Sequence, residues 1–167
     1  MVAKTNIQET ISIPSGLTQP FKEELGIRIL EEVRARTSRG IDKNSKSFKG
    51  YTTEYKASRD FKIAGKSSSV NIRLTGDLLA ELDIISINSS SIVIGYDTGH
   101  ELAGQAEGNT IGSYGKASGN ASKARDFIGL PEKIVNRIVE EMKQEPEFAE
   151  TRAARSEAID NILGRFQ

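Results

Sequence analysis

The sequence predicts an α+β fold, a small antiparallel β-sheet packed by about four helices with long polar loops between them. Two segments, residues 19–39 and the stretch after Pro131, carry apolar residues at the three-to-four-residue spacing of a helix. Two β-branched runs, DIISIN and SIVIGY, follow one another with a short polar turn between them. The length of 167 residues suits one domain, which we assign to residues 1–146, with residues 147–167 as a C-terminal helical arm or tail.

The first elements are a strand and a helix. Residues 7–14, IQETISIP, carry Ile7, Ile11 and Ile13 and end at Pro14, which predicts a strand near the edge of the sheet. An amphipathic helix is expected over residues 19–39, ended by Gly40. Its apolar stripe consists of Phe21, Leu25, Ile29, Leu30 and Val33. A glycine inside this helix, Gly26, either costs about 1 kcal/mol relative to alanine or allows close packing.

The middle of the chain alternates polar loops with short elements. Residues 40–69 are polar and basic and predict a loop with one short helix at 53–58. Alternation in VNIRLT predicts a strand at 70–74, and TGDLLAEL is either a helical turn capped by Thr75, which we favour, or a continuation of that strand. The β-branched runs 83–88 and 91–96 predict a hairpin.

The second half predicts two further helices and a long loop. A short helix is expected over residues 99–107 and an exposed loop over residues 108–123. Pro131 suits the first turn of a helix whose apolar residues run from Ile134 to Met142. Pro146 interrupts this pattern, and the charged residues beyond it predict a second helix or a tail that seeks a partner.

Composition excludes several classes of function. The 23 basic and 23 acidic residues give zero net charge, so nucleic-acid binding would need a local patch. The absence of cysteine excludes disulfides and cysteine-based metal sites or nucleophiles. No apolar run approaches the ~20 residues of a membrane span, and the first residues lack a signal-peptide core. We therefore expect a protein folded in a cytoplasm, without membrane contact.

Three possible sites do not satisfy the requirements of their chemistry. AGKSSS at 64–69 resembles the end of a phosphate-binding loop, but Asp60 stands where that loop needs glycine. DKNSK at 42–46 lacks the glycine and glutamate of a calcium loop and predicts a turn. His100 beside Glu101 is expected to be a surface or packing residue, because adjacent helical residues diverge. We predict no catalytic residues, metal or cofactor, which leaves a small hydrolase or nuclease as a remote hypothesis.

The basic segment 40–69 is interleaved with aromatic residues and supports two interpretations. It could contact phosphate groups of a nucleic acid, or it could form salt bridges to a neighbouring subunit. The balanced overall charge favours the second. Its interface candidates are Arg59, Lys62 and Lys66, and Tyr114 in the later polar loop is a further one.

The run KARDFIGLP precedes the second long helix and displays an arginine and a phenylalanine. Arg125 and Phe127 are of the residue types enriched at the energetic centres of interfaces. Alternatively, Phe127 and Leu130 pack the helix entrance into the core while Arg125 pairs with a carboxylate. A core role for Phe127 and an interface role for Arg125 are compatible.

Taken in order, these segments resemble a family of tailed-bacteriophage virion-morphogenesis proteins, the tail-completion and neck components. The resemblance covers residues 19–142 and rests on the order of its pieces. They are GIDKNSKSFKGY at 40–51, DFKIAGKS at 60–67, LTGDLLA at 74–80, the hairpin, and ARDFIGL at 124–130. The chain departs from the family pattern after the hairpin, where it has His100 followed by ELAGQ.

The resemblance implies a non-enzymatic subunit of a ring, expected to be a hexamer, that joins the head connector to the tail. The implied partners are further copies of the chain and the other neck, connector and tail proteins, with passing contact to packaged DNA. The implied location is the head–tail junction of the virion, after synthesis in the host cytoplasm. The alternative is a nucleic-acid-binding accessory protein that uses loop 40–69.

Overall fold

A three-stranded antiparallel sheet with strand order β1, β3, β2 lies at the centre of the fold. The structure, a computed structural model, describes residues 7–63, 77–113 and 124–148. The strands are β1 (Gln8–Ser12), β2 (Asp83–Ile87) and β3 (Ser91–Gly95). Helices pack on this sheet, so the predicted α+β class is confirmed.

The strands follow the residue patterns that predicted them. Ile7, Ile11 and Ile13 are each no more than 6% exposed, and β1 lies at an edge of the described sheet, as expected. The predicted hairpin is β2–β3, with Ile92 and Ile94 of the central strand fully buried. The chain bulges within β2, where the pairing register shifts between Ile84 and Ser86.

Helix α1 (Gln19–Ser38) packs its apolar stripe on the sheet. It begins at Thr18, whose hydroxyl accepts a hydrogen bond from the Phe21 N–H at 3.4 Å. All five predicted stripe residues are buried, which confirms the expected face. A Cβ atom on Gly26 would lie 2.9 Å from Cδ1 of Ile84, so this glycine allows close contact between helix and sheet.

The second long helix, numbered α6 in chain order (Glu132–Gln144), begins after Pro131 as predicted and packs against α1. Its buried residues are Val135, Ile138, Val139 and Met142. At its C-terminal end both carboxylate oxygens of Glu145 accept hydrogen bonds from the Arg28 guanidinium. The Phe148 ring lies 4.9 Å from the Phe21 ring in an edge-to-face arrangement, so packing on the domain continues past Pro146.

Short helices are more numerous than expected. The predicted helix 53–58 is α2 (Thr53–Ala57), and it is followed by an unpredicted helix, α3 (Arg59–Ile63). Ser58 separates the two, since its hydroxyl donates to the Tyr55 carbonyl at 2.7 Å and accepts from the Phe61 N–H at 3.2 Å. Ser58 therefore caps the end of α2 and the start of α3, and the chain forms two short helices where the sequence predicted one. The described ranges contain six named helices instead of about four.

The segment TGDLLAEL contains a helix, α4 (Asp77–Ala80), as favoured over the strand alternative. Its C-terminal carbonyls are bound by Arg34, which donates to the carbonyls of Leu79, Ala80 and Leu82 at 2.7–2.9 Å. The buried Tyr96 also binds α4, since its hydroxyl donates to the Leu78 carbonyl. The predicted Thr75 cap and strand 70–74 lie outside the described residues.

Helix α5 (Ala103–Ile111) begins and ends about four residues later than the predicted 99–107. Residues before it form turns instead, because the His100 N–H donates to the Asp97 carbonyl at 2.9 Å and the Ala103 N–H donates to the His100 carbonyl at 3.0 Å. The helix ends at Gly112, which takes the left-handed conformation with φ of 72°. The predicted loop 108–123 is therefore helical up to Ile111, and its residues from 114 lie outside the description.

The helices in these ranges include none that combines the length and the apolar character needed to cross a membrane.

Candidate interaction surface

The turn that follows α1 fixes where the basic segment leaves the body of the protein. One carboxylate oxygen of Asp42 accepts hydrogen bonds from the N–H groups of Asn44 at 2.9 Å and Lys46 at 2.7 Å. Ser45 takes a positive φ of 65° at the tip. The turn predicted for DKNSK is confirmed, and its Asp42 carboxylate accepts hydrogen bonds from backbone N–H groups of the same turn.

Lys43 joins this turn to two distant parts of the chain. Its Nζ lies 2.9 Å from Oδ2 of Asp126 and 3.3 Å from Oε2 of Glu9, and its N–H donates to the Asp126 carbonyl at 2.8 Å. Burial alone would lower the pKa of Lys43, but the hydrogen bond and charge of Asp126, together with Glu9, raise it above its ordinary value. The lysine therefore remains charged between two carboxylates and holds the turn against β1 and the segment before α6.

Arg36, at the last turn of α1, holds the same turn from the helix side. The side chain is 8% exposed, and one terminal nitrogen donates to the Ser45 hydroxyl at 2.7 Å. Because the contact is inside the fold, it restricts the turn to one position relative to α1. Arg36 and Lys43 thus hold the first part of the basic segment against the domain.

Helices α2 and α3 form a small unit that we call the α2–α3 hairpin, residues 51–63. The rings of Tyr51, Tyr55 and Phe61 lie with centroids 5.4–5.5 Å apart in tilted and edge-to-face arrangements. Such spacing is favourable for aromatic pairs. The aromatic residues noticed in the basic segment therefore pack largely on one another and form a local core.

Arg125 attaches this hairpin to the body of the domain. Its guanidinium carbon lies 5.1 Å from the centroid of the Tyr51 ring, within the range of a cation–π contact. Its backbone N–H donates to the Asn109 carbonyl at 2.7 Å, which fixes Arg125 beside the end of α5. Arg125 is half-buried, so it connects the hairpin to the segment that leads into α6.

Phe127, the other candidate of the same run, is 1% exposed and belongs to the hydrophobic core. The core role considered for Phe127 is therefore confirmed, and its role as an interface residue is wrong, because its ring is not accessible to a partner. The chain changes direction within this run. Arg125 and Asp126 contact Tyr51 and Lys43 of the same chain, whereas the next two side chains, Phe127 and Ile128, enter the core.

The outer edge of the α2–α3 hairpin carries the other described candidates. Arg59 and Lys62 are exposed on α3, and neither forms an ion pair within the described ranges. Ile63 follows them with 72% of its side chain exposed. Lys66 and Tyr114 lie outside the described residues.

His100 is half-buried and packs beside Tyr96, with ring centroids 5.8 Å apart. Its Nδ1 accepts from the Leu102 N–H at 3.1 Å, and its Nε2 lies 3.5 Å from a carboxylate oxygen of Glu81. The neighbour of the imidazole is thus Glu81 and not the adjacent Glu101. Across the residues that the structure describes, no three histidine or acidic side chains gather as a metal site would require.

The described candidates that remain on the surface are Arg59 and Lys62, with the exposed Ile63 beside them at the end of α3. Sequence analysis did not single out Ile63. It placed Lys43 and Tyr51 in the basic segment that is interleaved with aromatic residues, but it did not predict their contacts with Asp126 and Arg125. Comparison with protein-family models, curated proteins and solved structures found no match to this chain.

Proposed function

We propose that this chain is a structural subunit of a tailed-phage virion, one copy of a hexameric neck or tail-completion ring that joins the head connector to the tail. The observation that carries the proposal is the α2–α3 hairpin, a small unit with its own aromatic core and an exposed basic edge. A subunit of a ring has to present one surface to a different surface of its neighbour. A projecting unit tied to a rigid body serves that requirement.

The attachment of the hairpin supports the same role. Arg125, in the segment before α6, contacts Tyr51 at the start of the hairpin. The turn at 42–46 that precedes the hairpin is held to α1 by Arg36, and to β1 and the segment before α6 by Lys43. A contact surface held in this way loses little conformational entropy when a partner binds. The resemblance of segments 40–51, 60–67, 74–80 and 124–130 to virion-morphogenesis proteins supplies the identity of the assembly.

The proposal is tested by the native mass of the purified protein, measured by light scattering over a concentration series and followed by negative-stain imaging. We expect the mass to rise to that of a closed ring with a central opening. Reversing the charge of Arg59, Lys62 and Lys66 together should weaken this assembly. A monomer at every concentration, with no rings in the images, contradicts the proposal.

A matched pair of single variants controls for the change in net charge. Lys62→Glu alters the basic edge of the hairpin, whereas Lys133→Glu makes the same change at another exposed lysine, on α6. Assembly should weaken with the first and be unaffected by the second. Equal effects would show that net charge, and not the hairpin, controls association.

A second candidate function is nucleic-acid binding through the same hairpin, favoured by the exposed Lys56, Arg59 and Lys62. Phosphate contacts predict that affinity for a DNA duplex falls steeply as salt is raised. A salt titration that begins at low ionic strength tests this. Absence of binding at the lowest salt excludes it.

A further inference from the structure

Two large apolar side chains stand out on the surface of the described residues. Ile27 on α1 is 47% exposed and Ile63 at the end of α3 is 72% exposed. Single exposed apolar residues are common on protein surfaces and need no explanation by themselves. What distinguishes this pair is the charge that surrounds each member.

Ile27 lies on the outer face of α1 between two carboxylates of the same helix. Glu23, Ile27 and Glu31 are spaced four residues apart, so they share one face over about 12 Å of helix. Both glutamates are exposed, and Glu23 accepts a hydrogen bond from the Gln19 amide at 2.8 Å. Neither forms an ion pair with a cation in the described ranges. This α1 face is acidic with an apolar centre.

Ile63 has the opposite surroundings. Arg59 and Lys62 precede it by four residues and by one, which places Arg59 on the same side of α3 and Lys62 at its flank. Both cations are exposed. This α3 corner is basic with an apolar residue at its end.

We propose that the α3 corner of one copy docks on the α1 face of a second copy, with Ile63 against Ile27 and with Arg59 and Lys62 facing Glu23 and Glu31. The inference rests on the proposed function and names the contact between neighbouring subunits. Opposite charges around an apolar contact set its register and exclude the alternative pairing of like surfaces, in which α1 would meet α1 or α3 would meet α3.

The partner of each surface is a second copy of the chain, because the acidic α1 face and the basic α3 corner have complementary charges and each has an exposed isoleucine. Within one chain both isoleucines remain exposed, so they can bury each other only between chains. The two surfaces are different, which makes the contact heterologous, and a heterologous contact generates a ring where its rotation closes. An apolar centre with a charged rim is also the usual anatomy of a protein interface.

Cysteine cross-linking tests the contact directly, since the chain has no cysteine of its own. Ile27→Cys and Ile63→Cys are purified separately, mixed and oxidised, then resolved on a non-reducing gel. We expect a disulfide-linked dimer in the mixture, in about tenfold excess over either variant alone, because a disulfide needs Cα atoms within about 7 Å. The double variant Ile27→Cys/Ile63→Cys should give a ladder that stops at the number of subunits in the ring.

The matched control mixes Ile63→Cys with Ser90→Cys, which places a thiol on the exposed turn between β2 and β3. This mixture should give no more dimer than the single variants. Cross-linking of Ile27→Cys to itself, or equal yields in both mixtures, overturns the proposed contact.

A charge exchange tests the rim independently of the thiols. Glu23→Lys/Glu31→Lys and Arg59→Glu/Lys62→Glu should each weaken self-association by about tenfold or more, and a chain carrying all four changes should regain it. Circular dichroism shows whether each variant is folded. Loss of association without recovery in the fourfold variant counts against the pairing.

The outcomes separate this inference from the proposed function. Rings that form without the Ile27–Ile63 cross-link overturn the contact and leave the ring in place. Cross-linked dimers or open chains without closed rings support the contact and overturn the ring. A strict monomer without cross-links overturns both.

Discussion

The Arg125 guanidinium lies over the Tyr51 ring, with 5.1 Å between its central carbon and the ring centroid. This contact joins two segments that are far apart in sequence, the start of the α2–α3 hairpin and the run before α6. The contact gives Arg125 an aromatic neighbour within its own chain, which neither sequence interpretation predicted. Any partner of the hairpin therefore binds a unit whose position depends on Arg125.

Arg125→Ala should loosen the α2–α3 hairpin while the rest of the fold stays intact. Loss of a partly exposed cation–π contact costs about 0.5–1 kcal/mol, so amide exchange in residues 53–63 should speed up about two- to fivefold. Hydrogen exchange read by mass spectrometry measures this. Arg125→Lys keeps the charge and loses the planar group, so its exchange rates should lie between those of the wild type and of Arg125→Ala. Unchanged exchange in the alanine variant would contradict the view that Arg125 holds the hairpin.

Gly95→Ala should destabilise the whole domain. Gly95 has φ of 151°, and a Cβ atom there would lie 2.2 Å from the Ile7 carbonyl oxygen, so the strand backbone would have to move. We expect a loss of about 3 kcal/mol or more in the free energy of unfolding, measured by urea denaturation. Gly50→Ala is the matched control, because nothing lies within 4 Å of the added atom. Similar losses in both variants would contradict the steric argument.

Tyr96→Phe should alter stability at alkaline pH as well as at neutral pH. At pH 7 the loss of the hydrogen bond to the Leu78 carbonyl should cost about 1–2 kcal/mol. Burial raises the pKa of Tyr96 above its ordinary 10.0, so the folded state holds the proton longer than the unfolded state. The wild type therefore loses stability as pH rises above 10. Phenylalanine has no hydroxyl to ionise, so the variant does not show this loss from position 96.

Urea denaturation between pH 8 and about 11.5 measures the difference between wild type and Tyr96→Phe. The gap between the two curves should be constant below pH 10 and shrink above it. A gap that stays constant throughout would mean that Tyr96 titrates alike in the folded and unfolded chains.

Glu145→Gln should remove an acid-sensitive tie between α1 and α6. The hydrogen bonds from Arg28 hold the pKa of Glu145 below its ordinary 4.5, so the carboxylate stabilises the fold above that pH and stops doing so as pH falls through the lowered value. The melting temperature of the variant should lie below that of the wild type at pH 7, with the difference closing as the pH falls below 4.5 and through the lowered pKa of Glu145.

Glu147→Gln supplies the control for Glu145→Gln, since Glu147 is exposed and has no ion pair in the described part of the chain. It should melt at the wild-type temperature across the same range. A difference between Glu145→Gln and wild type that persists unchanged at acid pH contradicts the Arg28 tie.

The sequence by itself determined the elements whose signals are local. The stripe from Phe21 to Val33 predicted α1, because apolar residues at helical spacing can be buried together only on one face of a helix. The β-branched runs predicted the β2–β3 hairpin, and Pro131 with the apolar residues after it predicted α6. The turn at Asp42 was likewise readable, since its hydrogen bonds join neighbouring residues.

Only the tertiary structure decided which side chains meet across long separations. Lys43 lies between Glu9 and Asp126, and Arg125 lies over Tyr51, through contacts that no spacing in the sequence encodes. Tertiary packing also decided between the two interpretations of Phe127 by placing its ring in the core. The physical reason is that a residue pattern specifies which face of an element is buried, whereas the partner of each exposed or charged side chain is set by how separate elements pack.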